Sequence, residues 1–313
     1  MLKRILVVTG MIVISSGLVG LFLSFTEGEK SSIKTLGAAF QSVEAVGLPD
    51  SLAFANEKVP LENFDTKESL DREMLVNSYW HSQTLDLLQL STRFFPLIEP
   101  ILKREGVPDD FKYLALAESG LQQLVSPSKA AGMWQILEPT AKEEGLEVTA
   151  EVDERYHVEK ATVVACNYLK RSYTLYGSWT MAAASYNIGR TGLLKQSVKQ
   201  GSNNYYDLLL GEETGRYMFR ILALKLIFQK PTAYGFELNE SDYYPALQYR
   251  EVEVDSSITK ISDFAAQMGT NYKMIKYFNP WLRDGSLTNP KKKKYLIKVP
   301  VEGFRTQSNK KSN

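Results

Sequence analysis

Helical periodicity dominates residues 67–230 and constrains the fold more than any other feature of the chain. Apolar residues recur at helical intervals in three long stretches: 67–104, 158–175 and 212–230. Signals for strands are nearly absent before residue 240. We therefore predict a mainly α domain over residues 66–235, with the first helical stretch divided by Pro96 and Pro100.

A different pattern follows Pro231. Two segments alternate like strands, and two short helical segments lie between them; the strands are 249–254 and 295–299, the helices 258–268 and 272–278. This order predicts a small βααβ module over residues 246–301. The lysine run at 291–294 predicts a solvated turn before its last strand.

The N-terminal residues predict export from the cytoplasm. Lys3 and Arg4 precede a run without charge at residues 5–25. A signal-peptide core spans about 7–15 residues and a membrane-spanning helix about 20, so the length favours an uncleaved anchor. We expect residues 1–27 to be a signal peptide or membrane anchor, residues 28–65 a linker or stalk, and residues 302–313 a polar tail.

Composition excludes several classes of function. The chain has 37 Lys and Arg against 36 Asp and Glu, a net charge of +1, so the basic surface that nucleic acid binding needs is not predicted. Two histidines and the single Cys166 argue against a His/Cys metal site and against an internal disulfide. We expect no cofactor and no metal.

A carboxylate occupies an apolar position in the stretch FKYLALAESGL. Helical spacing from Phe111 puts Glu118 on the apolar stripe. Burial disfavours the charged form of a carboxyl group, raises its pKa and suits it to general acid catalysis. The alternative is a half-exposed glutamate at a helix end, paired with Lys112 or Lys129.

A second catalytic carboxylate is harder to find. Many enzymes pair a general acid with a second carboxylate that acts as base or nucleophile. Asp109 and Asp110 fit capping of the helix that carries Glu118, and Gly120 fits its end. The remaining candidates carry no signal of a nucleophile, although the last two are plausible groove residues: Glu138, Glu143, Glu144, Glu212 and Glu213.

Three short motifs in order resemble the lytic transglycosylase family of the goose-type lysozyme-like superfamily. They are AESG at 117–120, AAGMWQILEPT at 130–140 and AAASYNIG at 182–189. The tryptophan in the third place of GMWQ, Trp134, is similar to a membrane-bound branch of that family. For this side chain a core position is favoured over a sugar platform. The resemblance covers roughly residues 75–230 and implies a lysozyme-like helical fold with a groove for a glycan strand.

The resemblance also implies an activity and a site. Glu118 would be the single general acid and base that cleaves peptidoglycan between N-acetylmuramic acid and N-acetylglucosamine, with closure of a 1,6-anhydro ring. Tyr186 would contact Glu118 through its hydroxyl, and Ser119 would bind either substrate or backbone. The implied substrate-binding residues are Ser119, Met133, Gln135, Tyr186, Asn187, Glu213 and Tyr217.

The implied partners are peptidoglycan glycan strands, together with the membrane if the N-terminal segment is uncleaved. The expected location is the cell envelope, either in the periplasm or anchored to the membrane and facing the wall. Two other functions stay open: a muramidase that hydrolyses the same bond, and a wall-binding scaffold without catalysis.

The C-terminal module resembles a LysM domain through the stretch YFNPWL at 277–282. Its first turn at 255–258 and its ending at 294–300 depart from the LysM pattern. The resemblance implies the LysM fold, while binding of sugar by this module stays open.

Overall fold

The computed structural model describes residues 44–307. The predicted signal peptide or anchor at 1–27, residues 28–43 of the predicted linker and residues 308–313 of the predicted tail lie outside them. Within the described part, no helix is both long enough and apolar enough to cross a membrane.

The described residues form eleven α-helices, five short 3-10 helices and four strands. The helices are α1 Phe64–Tyr79, α2 His81–Arg104, α3 Lys112–Ser119, α4 Glu138–Glu143, α5 Val158–Tyr176, α6 Trp179–Ile188, α7 Arg190–Gln200, α8 Glu212–Gln229, α9 Ile261–Gln267, α10 Tyr272–Phe278 and α11 Phe304–Gln307. The strands are β1 Leu52–Phe54, β2 Glu57–Val59, β3 Tyr249–Val254 and β4 Tyr295–Pro300. The predicted fold class, a helical domain followed by a small βααβ module, is confirmed.

The expectation of a linker at 28–65 is wrong for its last part. Strands β1 and β2 pair as an antiparallel hairpin, with Leu52 opposite Val59. Phe54 and Val59 are buried in the core of the helical domain. The hairpin is also bonded to that domain, because Glu57 accepts hydrogen bonds from the backbone N–H groups of Trp179 and Thr180 at the start of α6. A carboxylate at a helix N-terminus is stabilised by the free N–H groups and the helix dipole.

The break in the first helical stretch falls at Trp80 and not at the prolines. Pro96 and Pro100 both lie inside α2, which continues to Arg104. Trp80 has ψ of 59°, outside the helical range, and separates α1 from α2. The predicted division by proline is therefore wrong, because this helix tolerates two missing N–H donors within its packed surroundings.

Helix α8 is the centre of the helical domain. It packs against α1, α3 and α6, while α5 packs against α2 and α6. Tyr217, Ile221 and Leu224 on α8 are almost fully buried in the common core. This arrangement brings α3, with Glu118, against the side chains of α8.

The C-terminal module has a core of its own. Strands β3 and β4 pair antiparallel, from Tyr249 opposite Pro300 to Val254 opposite Tyr295. Ile261, Ile275 and Ile297 are fully buried beneath the two short helices. Three residues of the helical domain, Ala131, Val152 and Tyr156, belong to the same apolar cluster.

Candidate active site

Glu118 lies in the last turn of α3, with its side chain half-buried. Gly120 ends the helix in the left-handed conformation, with φ of 61°, as its sequence position predicts. The hydroxyl of Tyr217, on α8, donates a hydrogen bond to Oε1 of Glu118. The predicted alternative, an ion pair with Lys112, is not formed, because Lys112 binds Glu99 and Asp109.

The surroundings of Glu118 favour its protonated form. Removal of the carboxyl group from water raises the pKa of Glu118 to about 7, against the lowering effects of the Tyr217 hydrogen bond and the Arg220 charge. The nearby carboxylate of Glu213 adds to the rise. Burial also raises the pKa of Tyr217 well above its usual range, so this hydroxyl stays a donor at neutral pH. A carboxyl with a pKa near 7 can both give and take a proton at physiological pH.

A charged cluster lies next to the acid on α8 and α1. Arg220 contacts the exposed Glu213, with Nη1 at 3.2 Å from Oε1. The buried Glu73 binds Nε of Arg216 at 2.6 Å and lies 4.0 Å from Nε of Arg220. Because Glu73 is only 1% exposed and is paired with arginine, it is poorly placed to attack a sugar or activate water.

The GMWQ motif forms a tight loop at residues 132–135, here named the active-site loop. Gly132 has φ of 79°, and a Cβ atom on it would lie 2.0 Å from the carbonyl oxygen of Arg155. Glycine is therefore required at this close approach of two backbones. Trp134 is fully buried, and its Nε1–H donates to Oγ1 of Thr162 at 2.8 Å. This tryptophan is a core residue and not a sugar platform.

The active-site loop is bonded to both helices that carry the other motifs. Oγ of Ser119 donates to the carbonyl oxygen of Met133 at 2.8 Å. The hydroxyl of Tyr186 donates to the carbonyl oxygen of Trp134 at 2.7 Å. The Tyr186 hydroxyl, expected to contact Glu118, donates its hydrogen bond to Trp134, and Tyr217 is the residue that donates to Glu118. Of the two expectations for Ser119, binding to backbone is the one observed.

A cleft of about 460 Å³ opens beside this loop. Its lining includes Gln135, Tyr186 and Asn187, three of the predicted substrate-binding residues. Gln135 has φ of 46°, a conformation that a residue other than glycine seldom adopts and that is common at functional sites. A larger hollow of about 790 Å³ lies at residues 46–71 and is lined by none of the motif residues.

The other predicted residues lie in different environments. Met133 is 2% exposed within the core, so its side chain offers almost no surface for the predicted contact with glycan. Tyr217 is 1% exposed, and its hydroxyl reaches Glu118. Asn187 accepts a hydrogen bond from Oγ1 of Thr214 on α8 at 2.8 Å. Glu213 is exposed beside Arg220.

The predicted capping by Asp109 and Asp110 is also wrong. Neither side chain caps the turn that leads into α3. Asp110 binds the backbone N–H of Ala55 and the ammonium of Lys225, each at 2.7 Å. It therefore joins the hairpin to α8 and takes no part in the site.

Sequence reasoning missed two residues that act on the site from outside the motifs. Arg220 lowers the pKa of Glu118 through its charge, and Arg155 bonds to the ends of the active-site loop. Arg220 lies one helical turn after Tyr217, so helical spacing from that tyrosine could have found it. Arg155 had no such signal, because its contacts with the loop are made to backbone carbonyls.

Two family models match the chain. Residues 96–209 match the transglycosylase SLT domain, and residues 250–303 match the soluble lytic transglycosylase C-terminal LysM-like domain. The chain thus carries an SLT transglycosylase domain followed by a LysM-like domain, which confirms the resemblance drawn from its motifs.

Two curated relatives then extend the match. Both are named membrane-bound lytic murein transglycosylase D, one from Escherichia coli strain K12 and one from Escherichia coli O6:H1 strain CFT073. Each is 27% identical over 247 residues, which are 76% of this chain and 53% of the relative. The chain therefore spans about half the length of these relatives.

Proposed function

We propose that the protein is a peptidoglycan lytic transglycosylase. It cleaves the β-1,4 bond between N-acetylmuramic acid and N-acetylglucosamine and releases a 1,6-anhydromuramoyl product. The observation that carries this proposal is the half-buried Glu118, whose pKa is raised to about 7 while Tyr217 holds one of its oxygens. The SLT domain match and the names of the two relatives support the same activity.

Glu118 serves in both steps of the proposed reaction. As an acid it gives its proton to the glycosidic oxygen while the bond from that oxygen to C1 of the muramoyl sugar breaks. As a carboxylate it takes the proton of the C6 hydroxyl while that oxygen forms its bond to C1. No water is consumed, and Glu118 ends protonated. The tethered hydroxyl replaces a second carboxylate, because an intramolecular nucleophile has a high effective concentration.

The predicted site residues divide into two proposed roles. Gln135, Tyr186 and Asn187 line the cleft and contact the glycan. Gln135 offers both a donor and an acceptor, which suits an acetamido group. Tyr217 and Ser119 position the site: Tyr217 orients Glu118, and Ser119 holds the active-site loop.

A hydrolytic muramidase is the second candidate, and one observation favours it. The exposed Glu213 lies near enough to Glu118 that its charge raises the pKa of the acid. A second carboxylate of this kind could activate water, as in glycosidases that use two carboxylates. The mass of the product separates the two enzymes.

A wall-binding scaffold without catalysis is tested by Glu118→Gln. Glutamine keeps the size of the side chain but cannot donate an acidic proton. We expect this variant to lose digestion of purified murein sacculi while it still sediments with them. Digestion that survives the substitution would contradict the role of Glu118, and wild-type protein that binds without digesting would favour the scaffold.

We further infer that the protein acts in the cell envelope, in the periplasm or anchored to the membrane and facing the wall. The charge-free run at residues 5–25 and the relatives described as membrane-bound support this location. We also propose domain limits of 52–235, which include the hairpin, and 246–301. Fractionation of cells that express the full chain tests the location, because a cleaved signal peptide would leave the protein in the soluble fraction.

A further inference from the structure

The LysM-like module pairs with the helical domain through its backbone. The N–H of Asp153 donates to the carbonyl of Trp281 at 2.9 Å, and the N–H of Arg283 donates to that of Glu151 at 2.7 Å. Val152 and Leu282 face each other between these bonds as an antiparallel pair. The segment 151–153 thus forms an antiparallel β-bridge with residues 281–283 of the module.

The carboxylate of Glu151 strengthens this contact. It accepts hydrogen bonds from the backbone N–H of Thr288 at 2.7 Å, from Oγ1 of Thr288 at 2.9 Å and from Oγ of Ser286 at 3.0 Å. The backbone bond from Thr288 is the main cause that keeps the pKa of Glu151 below its usual value. All of these donors belong to the loop between α10 and β4.

Apolar and charged contacts surround the paired backbones. His157 stacks on Trp281 with ring centres 6.0 Å apart. Lys298 forms an ion pair with Glu159, and Lys293 forms one with Glu147 at 2.5 Å. The lysine run predicted to be a solvated turn therefore contributes Lys293 to a contact between domains.

The same segment holds the active-site loop from its other side. The carboxylate of Asp153, whose N–H binds the module, binds the guanidinium of Arg155 at 2.7 Å. Nη1 of Arg155 donates to the carbonyl oxygens of Lys129 at 3.0 Å and Ile136 at 3.3 Å, one on each flank of the loop. The carbonyl of Arg155 is also the atom that leaves room only for glycine at position 132.

We propose that the LysM-like module is a fixed brace of the active site and that Arg155 is the positioning residue through which it acts. The module holds residues 151–153, Asp153 orients Arg155, and Arg155 fixes the loop that carries Gln135. This inference rests on the proposed function only in naming the reaction that the brace supports. On this proposal the loop at 281–288 contacts the helical domain and does not bind a second glycan strand.

The first test removes the Glu151 contact. Glu151→Ala is compared with Glu253→Ala, which removes a carboxylate that pairs with Lys294 inside the module. We expect amide hydrogen exchange at residues 131–136 to rise about tenfold in Glu151→Ala, since local opening sets the exchange rate, and to stay unchanged in Glu253→Ala. Unchanged exchange in Glu151→Ala would overturn the brace, and this readout does not depend on activity.

The second test separates positioning from a general loss of stability. We expect Glu151→Ala and Arg155→Lys each to lower kcat about tenfold, because small displacements of substrate-positioning groups are costly. Lysine keeps the charge of Arg155 but lacks its forked geometry. Gln135→Ala should have little further effect on kcat/KM in either background, since residues that act through one loop are not additive. Full additivity would show that the contact serves stability alone.

The third test locks the module in place. Val152 and Leu282 form a non-hydrogen-bonded antiparallel pair, whose Cα atoms typically lie about 4.5 Å apart, within the range of a disulfide. Val152→Cys with Leu282→Cys therefore suits oxidation, while burial raises the pKa of the native Cys166 thiol to about 12 and keeps it unreactive. Because the brace is fixed, the oxidised double variant should be as active as its reduced form. Activity that disappears on oxidation and returns on reduction would overturn the proposal.

The product formed by the wild-type protein distinguishes the two levels of inference. If that product carries an added water, the proposed transglycosylase reaction fails, and the same variants test the brace through the rate of hydrolysis. If the anhydro product forms but the Glu151 variant matches wild type in both exchange and kcat, the brace fails alone.

Discussion

Tyr217 donates a hydrogen bond to Oε1 of Glu118, so the acid on α3 is oriented from the central helix α8. Tyr217 is almost fully buried, and its position is fixed by the core of the helical domain. The protein therefore fixes the position of one carboxylate oxygen of Glu118. This hydrogen bond fixes the orientation of a carboxyl group whose pKa is raised.

Tyr217→Phe should raise the pKa of Glu118 further. The hydroxyl stabilises the carboxylate form, and loss of a hydrogen bond to a charged group corresponds to about one pKa unit. We expect the high-pH limb of kcat/KM to move up by about one pH unit and kcat at pH 6 to fall about tenfold as the acid loses its orientation. A pH–rate profile on soluble peptidoglycan fragments measures both effects.

Tyr205→Phe is the matched control for that experiment. Its buried hydroxyl donates to the carbonyl oxygens of Thr214 and Gly215 and does not bind Glu118. The high-pH limb should stay where it is in the wild type. An equal displacement in both variants would mean that Tyr217 acts only through the packing of α8.

Glu118→Gln should change how stability depends on pH. The pKa of Glu118 is about 7 in the folded protein against an ordinary value of 4.5. Its stabilising contribution is therefore present below pH 4.5 and is lost as the pH rises through 7. Relative to the glutamine variant, the wild type should lose about 3 kcal/mol of unfolding free energy between pH 4 and pH 8. Urea unfolding measures this loss. If the difference in unfolding free energy between wild type and variant were the same at both pH values, the raised pKa would be contradicted.

Glu213→Gln tests whether a second carboxylate takes part in the reaction. In the transglycosylase mechanism Glu213 is not a base, so we expect kcat to stay within about threefold of wild type, with any effect mainly on KM. A muramidase that uses Glu213 to activate water would lose activity by about 100-fold or more. Steady-state kinetics on one substrate separates these outcomes.

Gly132→Ala should destabilise the protein and disturb the active-site loop. A Cβ atom there would overlap the carbonyl oxygen of Arg155 at 2.0 Å, so the loop or the segment 153–156 must move. We expect a loss of about 3 kcal/mol, measured by urea unfolding, from this overlap together with the backbone strain.

Gly145→Ala controls for the backbone strain alone. Gly145 has φ of 82°, but no atom lies within 4 Å of the position of its Cβ. Its substitution should cost about 1–2 kcal/mol, the usual cost of alanine in the left-handed region. Equal losses at the two glycines would show that the contact with Arg155 is not tight in solution.

The helices were largely predictable from the sequence, because the apolar stripes of α5 and α8 and the glycines after α3 and α6 are local signals. The hairpin at 52–59 was not predictable. Its turn residues, Ala55 and Asn56, both have positive φ, yet Ala-Asn is not a typical hairpin turn sequence. The bond from the Ala55 N–H to Asp110 stabilises this turn from a distant part of the chain.

The site was predictable only as a set of motifs. The position of Glu118 on an apolar stripe indicated its unusual environment, but no local pattern could assign its hydrogen bond to Tyr217 and not to Tyr186. That choice depends on how α3, α6 and α8 pack together. The contact of Glu151 with Thr288 likewise joins residues 137 positions apart, so nothing in either local stretch predicted it.

The mass of the product released from whole murein sacculi tests the central claim most directly. If Glu118 acts alone and the muramoyl C6 hydroxyl is the nucleophile, mass spectrometry will find disaccharide fragments that are lighter by one water than the hydrolysis products, and Glu118→Gln will release neither. Fragments that carry the full water from the start of the digestion would contradict the account.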